Sequence, residues 1–265
     1  VVAVVAALCG AAAGGAAGWV VADQRPHGRG PGAATSSPTT GSAAGAPTTT
    51  SVPSPTGAAD VPAIASALRT SVVSINVVGS APGPFGRPVT QQGAGTGFVV
   101  SASGRIATNN HVIAGASTID VVLADGTSFP ATVVGVSSTE DLAVLQIDRT
   151  GLVPVRLGAS GDLRVGETVV AIGNALALPG GPTVSLGIVS ALGRVLTVGT
   201  TTYNALVQTD AAISSGNSGG PLVDHEGLVV GINCAAASSA SAESIGFAIA
   251  IDHARPVLRS LGASI

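Results

Sequence analysis

Methionine and lysine do not occur in this chain of 265 residues, and tryptophan and tyrosine occur once each. Charge is scarce as well. Only 9% of residues are charged, against roughly 25% in an ordinary soluble domain. The polar surface must therefore come from Ser, Thr, Gly and Gln. The net charge is −3, all 11 basic residues are arginine, and no basic run exists. That balance argues against nucleic acid as a partner. The missing methionine leads us to expect that the natural start of the chain has been removed. Cysteine occurs twice, as Cys9 in an apolar stretch and Cys234 near the far end. One cysteine per region gives neither a disulfide framework nor a metal cluster. Cys234 reads as a small buried apolar residue. Histidines stand at 27, 111, 225 and 253, too scattered for a zinc motif. No metal and no organic cofactor is expected.

What the chain has is apolar mass, 46% of its residues, enough for a sizeable core in one or two domains. Residues 1–22, VVAVVAALCGAAAGGAAGWVVA, carry no charge. Their length fits one membrane-spanning helix, which needs about 20 residues. A secretion signal competes, with Val1–Cys9 as the apolar region and Ala11–Ala13 as a small-residue cleavage site. The return of apolar residues at Trp19–Ala22 favours the anchor. Leu8 is too large for lipoprotein processing at Cys9. Residues 23–60 are Pro, Thr, Ser, Gly and Ala with almost no large apolar side chain. Such a segment cannot offset its ordering entropy and is expected to be a disordered tether.

Order is expected over 61–265. Asp60 precedes VPAIASALR, where it can cap a helix with Pro62 in the first turn. Short strands follow at 71–77, 95–100, 105–109, 118–124, 129–136 and 142–148. A second series covers 167–173, 184–192, 205–210, 227–233 and 244–251, with Pro221-Leu-Val as a further strand. This spacing predicts an all-β sandwich or two barrels. Residues 252–261 predict a closing helix, with Pro256 near its start.

The strongest chemical signal is Gly216-Asn217-Ser218-Gly219-Gly220-Pro221. A serine between glycines can sit on a tight turn with its hydroxyl presented. The N–H groups of Gly216 and Ser218 could then form an oxyanion hole. A Gly-rich hairpin without chemistry is the plain alternative. A nucleophilic serine needs a base, and the base needs an orienting carboxylate. His111 ends the strand RIATN and precedes a possible helical turn, so it is the best-placed histidine. His27 lies in the tether, His225 in a turn and His253 in the closing helix. Asp141 precedes the strand LAVLQI, and Glu140, Asp120 and Asp125 compete with it on spacing. The order His–Asp–Ser is that of chymotrypsin-like enzymes.

The stretches GAGTGFVV, ATNNHVIAGA, ADGTSFPATVVGVSSTEDLAVLQID, VGETVVAIGN, GIVSALGR, QTDAAISSGNSGGPLVD, VVGIN and IGFAIAI resemble the HtrA (Deg) family of trypsin-like serine proteases. They run through nearly all of 61–265, in the family's order. The resemblance implies two antiparallel six-stranded β-barrels, with barrel one over 61–158, barrel two over 159–251 and a closing helix over 252–265. It implies His111, Asp141 and Ser218 as the triad, and selects Asp141 from its neighbours. It also implies that Ile213, Ala235 and Ala236 line the S1 pocket, and that the strand holding Ile232 and Asn233 borders the substrate backbone. Asp210 reads as structural rather than as a selector for basic residues. The stretch 79–93 reads as a modest loop.

Family members usually continue into a PDZ domain where this chain ends at Ile265, so activation without one is expected. Polypeptide substrates, a homotrimer and an extracytoplasmic location are likewise implied by the resemblance; residues 1–22 add the expectation of a membrane anchor, with a secreted form as the alternative. The low aromatic content, 2%, leaves little for aromatic contacts in a trimer. The expected reaction is peptide-bond hydrolysis through an acyl-enzyme. A holdase that binds polypeptides without turnover is the rival on the same scaffold.

Overall fold

The computed structural model describes residues 59–82, 87–174, 181–199, 201–234 and 245–265. The expectations for the anchor, for the tether up to residue 58, and for Ala235 and Ala236 fall outside these. Twelve strands close into two antiparallel six-stranded barrels, as the resemblance implied. The first contains β1 (Val72–Pro82), β2 (Pro88–Ser101), β3 (Arg105–Thr108), β4 (Ala116–Val122), β5 (Ser128–Ser137) and β6 (Leu142–Ile147). The second contains β7 (Thr168–Gly173), β8 (Thr183–Val198), β9 (Thr201–Thr209), β10 (Pro221–Val223), β11 (Val229–Asn233) and β12 (Gly246–Ala250).

The neighbour orders are β1-β2-β3-β6-β5-β4 and, read from β7, β7-β8-β9-β12-β11-β10. The two barrels thus share one topology, a repeat that the sequence does not display. Helix α1 (Val61–Leu68) opens the domain. Asp60 Oδ1 accepts the Ala63 N–H at 3.1 Å, and Ile64 and Leu68 bury one face. Helix α2 (Asn110–Ile113) follows β3, and helix α3 (Ile251–Ser260) closes the chain. Pro256 lies inside α3 rather than at its start. Among the described residues no helix is long and apolar enough to cross a membrane.

Period-2 alternation sorts the side chains into three apolar clusters. From β6, Ala143, Leu145 and Ile147 fill the first barrel, while Leu142 and Val144 face a larger shared cluster. From β7, Val169 and Ala171 fill the second barrel, while Val170 and Ile172 face the same shared cluster. These strands are buried on both faces and so read as continuous apolar runs. Ile251, Ala254 and Leu258 of α3 join the shared cluster, together with Phe98 and Ile232. Each fully buried Leu or Ile contributes about 1.5–3 kcal/mol relative to exposure.

Two stretches differ from expectation. Much of 79–93 is not a loop, because β1 and β2 stay paired from Val72↔Phe98 out to Pro82↔Pro88. The prolines fall at the strand ends, where a missing N–H interrupts no ladder. Strand β8 runs on to Val198, through register shifts near Val189, Ala191 and Arg194. Such bulges break the alternation that would have announced the strand.

Candidate active site

His111 and Ser218 occupy equivalent connections of the two barrels, β3–β4 and β9–β10. Asp141 stands in the turn between β5 and β6. Its φ of 52° puts a non-glycine residue in the left-handed region, a strained choice that surrounding bonds must hold. They hold it from both ends. Its carbonyl accepts Asn109 Nδ2 at 2.9 Å and the Asn110 N–H at 3.1 Å. Its Oδ1 accepts the His111 N–H at 2.8 Å, and its Oδ2 lies 2.6 Å from His111 Nδ1. An ionised carboxylate only accepts, so Nδ1 carries the proton and Nε2 is left as an acceptor. The Asp141 side chain is 4% exposed and that of His111 33%. The carboxylate is therefore shielded from water while the imidazole reaches it.

The Ser218 turn is fitted against the first barrel. Thr96 Oγ1 donates to the Gly216 carbonyl at 2.7 Å. The same oxygen accepts the Asn174 N–H at 2.7 Å. Thr108 Oγ1 donates to the Thr96 carbonyl at 2.7 Å. Gly219 has φ of 82°, and a Cβ there would lie 2.2 Å from Thr108 Oγ1 and 2.3 Å from the Thr96 carbonyl. A Cβ on Gly220 would lie 2.2 Å from the Ile172 carbonyl. Only glycine fits at either position. The turn thereby abuts Thr108 and Asn109, just ahead of His111.

Within the turn, the N–H groups of Asn217, Gly219 and Gly220 bond to the carbonyls of Ser214, Asn233 and Asn217, each at 2.9 Å. Ile232 and Asn233 lie fully buried beneath it. Asn233 Nδ2 bonds to the Pro221 and Ile172 carbonyls at 3.1 and 3.3 Å. Ile213 is half-buried, and a Cβ on Gly246 would come within 3.0 Å of its Cδ1. Asp210 Oδ1 accepts the Ile188 N–H at 2.7 Å, in keeping with its structural reading.

Cys234 is more than an apolar filler. Its thiol donates to Asp141 Oδ2 at 3.6 Å while remaining fully buried. Tyr203, from β9, is buried close to Asp141 and Cys234. Burial, and then the neighbouring charge of Asp141, hold its phenol far above the ordinary value of 10.0. The phenol therefore keeps its proton where a free tyrosine would begin to lose it. The sequence offered no periodic signal for Thr96, Tyr203 or Cys234, which converge on the site only after both barrels close.

A double barrel with an Asp–His pair on one half and a Gly-flanked serine on the other is the architecture of trypsin-like hydrolases. A family model described as the trypsin-like peptidase domain matches residues 95–232. "Serine protease Do-like HtrA" of Bacillus subtilis is 44% identical over 179 residues, 65% of this chain and 40% of that protein. A DegP-like periplasmic serine endoprotease of Rickettsia prowazekii is 44% identical over 170 residues, 63% of this chain and 33% of that protein. The solved structure of an HtrA-type protease, AlgW with decapeptide, superposes with a TM-score of 0.66 at 38% identity, over 76% of this chain and 67% of that one. The chain belongs to the trypsin-like peptidase family and is a serine protease domain of the HtrA/DegP type. It spans two fifths or less of the length of those two curated relatives.

Proposed function

We propose that this protein is an endopeptidase that hydrolyses unfolded or regulatory polypeptides through an acyl-enzyme on Ser218. The observation that carries this reading is the two-point hold of Asp141 on His111, at 2.8 and 2.6 Å. Ser218 Oγ attacks the scissile carbonyl. His111 Nε2 takes the serine proton and returns it to the leaving amine. Asp141 fixes the imidazole and stabilises its protonated form without taking the proton. The N–H groups of Gly216 and Ser218 hold the oxyanion. Water then releases the acyl group by the same steps.

Substrate side chains enter beside Ile213, with Ala235 and Ala236 completing the S1 pocket. The strand carrying Ile232 and Asn233 leads to the edge that receives the substrate backbone. The chemistry uses no metal or organic cofactor. Residues 1–22 anchor the protein in a membrane or direct its secretion, and 23–60 tether the protease domain outside the cytoplasm. Assembly as a homotrimer follows from the same likeness.

Labelling with a fluorophosphonate and cleavage of casein test the reading together. Wild type is expected to be labelled at Ser218 and to cleave. Ser218→Ala and His111→Ala are each expected to lose a factor of roughly 10⁴ or more in kcat. Activity within tenfold of wild type in Ser218→Ala would sink the assignment. Binding of casein without cleavage by wild type would favour a holdase.

A further inference from the structure

We propose that His111, Asp141 and Cys234 form a site for a thiophilic divalent cation of the zinc and cadmium class, and that its occupation switches the protease off. The switch rests on His111 being the base of the proposed reaction; the binding does not. The three donors arrive on three separate connections. The imidazole comes from α2, the carboxylate from the β5–β6 turn and the thiol from the end of β11. Their ligand atoms all lie within 4.8 Å of one another, the one such group with a histidine or cysteine found among the described residues. Imidazole, carboxylate and thiolate together are the mixed N/O/S set that such cations take.

The distances suit the ion. Tetrahedral zinc, with bonds of about 2.3 Å to sulfur and about 2.0–2.1 Å to nitrogen and oxygen, sets sulfur about 3.5 Å from oxygen and nitrogen about 3.3 Å from oxygen. The Cys234 Sγ to Asp141 Oδ2 separation is already 3.6 Å. The His111 Nδ1 to Asp141 Oδ2 separation, 2.6 Å, has to open by about 0.7 Å. The imidazole is the partner able to give way, with its side chain 33% exposed. Asp141 is held through its carbonyl by Asn109 and Asn110, and Cys234 is enclosed. The ion enters on the open side of the ring, where water completes the shell.

The balance is simple and involves no redox change. The thiol proton leaves to solvent as the cation takes sulfur. The cation replaces the proton on Nδ1, and the neutral ring carries its proton on Nε2 instead. A protonated Nε2 cannot accept the Ser218 proton, so the nucleophile stays unactivated. Without Cys234 the same pocket offers only nitrogen and oxygen.

Cadmium ion alone is the probe, added to the full chain in a Cys9→Ser background so that Cys234 is the sole thiol. In Ser218→Ala, one equivalent is expected to bind, with an ultraviolet sulfur-to-cadmium charge-transfer band. Cys234→Ser, and Cys234→Ala as a second variant, should abolish the band and weaken binding by at least about tenfold. Peptide cleavage by the enzyme with Ser218 intact should fall at the same cadmium concentration and return with EDTA. Each cysteine variant, judged against its own cation-free rate, should lose that sensitivity. Circular dichroism melts establish that the variants are folded. No charge-transfer band in the folded protein, or equal inhibition of the cysteine variants, would overturn the proposal. Binding as expected with Ser218→Ala still cleaving casein would leave the cation site standing and remove the proteolytic reading.

Discussion

Thr96 donates its backbone N–H to the carbonyl of Ser218 at 2.9 Å, so a strand of the first barrel holds the serine turn of the second. Its hydroxyl adds bonds to Gly216 and Asn174, both at 2.7 Å. Thr96 is fully buried. Thr96→Val keeps the shape and removes the hydroxyl, leaving a carbonyl and an N–H without their partner. Each such loss costs about 1–3 kcal/mol when buried. The variant is expected to lose about 2–6 kcal/mol in urea unfolding. It should also lose more in kcat than it changes in KM. An unchanged urea midpoint would show that the bonds are not formed in solution.

Gly219→Ala places a methyl group on Thr108 Oγ1 and the Thr96 carbonyl, as the distances above require. The serine turn must then move away from the His111 connection. A displacement near 1 Å costs about 10²-fold in rate. Gly126→Ala is the matched control, with φ of 85° and nothing within 4 Å of the added carbon. It should carry backbone strain of about 1–2 kcal/mol and leave kcat/KM unchanged. Equal kinetic loss in the two variants would contradict the packing argument.

Tyr203 gives a pH dependence with a definite sign. Its folded-state value is raised, so the folded protein keeps a proton that the unfolded chain releases. That stability is complete below the ordinary phenol value of 10.0 and declines as pH rises above it. Tyr203 is the chain's one tyrosine, so phenolate absorbance reports it alone. The folded protein should show no phenolate near 10.0, with the absorbance appearing on unfolding. Tyr203→Phe should flatten the alkaline fall in Tm. Titration of folded wild type at the ordinary value would place Tyr203 away from Asp141.

The proposed place of Ile213 in the S1 pocket predicts a side-chain preference. An apolar pocket offers no partner to a buried lysine or arginine charge, and burying one unpaired is costly. Asp210 already bonds to the Ile188 N–H. A peptide-library profile should favour Val, Ala, Leu or Ile before the cleaved bond. Gly246→Ala, which crowds Ile213, should shift the profile toward smaller residues. A profile dominated by Arg or Lys would give the pocket to Asp210 instead.

The strands were legible because β6, β7 and β11 carry apolar runs bounded by turn residues, while the choice of two barrels over a sandwich came from the resemblance. The serine turn was legible because its glycines are adjacent in the chain. Asp141 was less so, since spacing alone left Glu140, Asp120 and Asp125 in play. The contacts of Thr96, Tyr203 and Cys234 were not legible, because each joins residues far apart in sequence across the meeting of two barrels. Cys234 is buried as read, but its contact with Asp141 was hidden. A buried thiol and a buried alanine occupy similar surroundings, and only the partner on its sulfur separates them. The bulged length of β8 was hidden because its shifts in register cancel the period-2 pattern.

The apolar cluster shared by the barrels has a consequence for survival among copies. Phe98, Leu142 and Val144 from the first barrel touch the same interior as Ile172, Ile232 and Ile249 from the second, with α3 laid across both. Separating the halves would expose that interior on both, so this particular opening costs close to the free energy of global unfolding. An endopeptidase with the proposed taste for unfolded chains would meet its own neighbours as substrates, and a strand that frays would be cut. A core shared in this way would keep copies with separated barrels nearly as rare as globally unfolded ones. Under the proposed function, resistance to self-digestion would depend on the core between the barrels as much as on the specificity of the cleft.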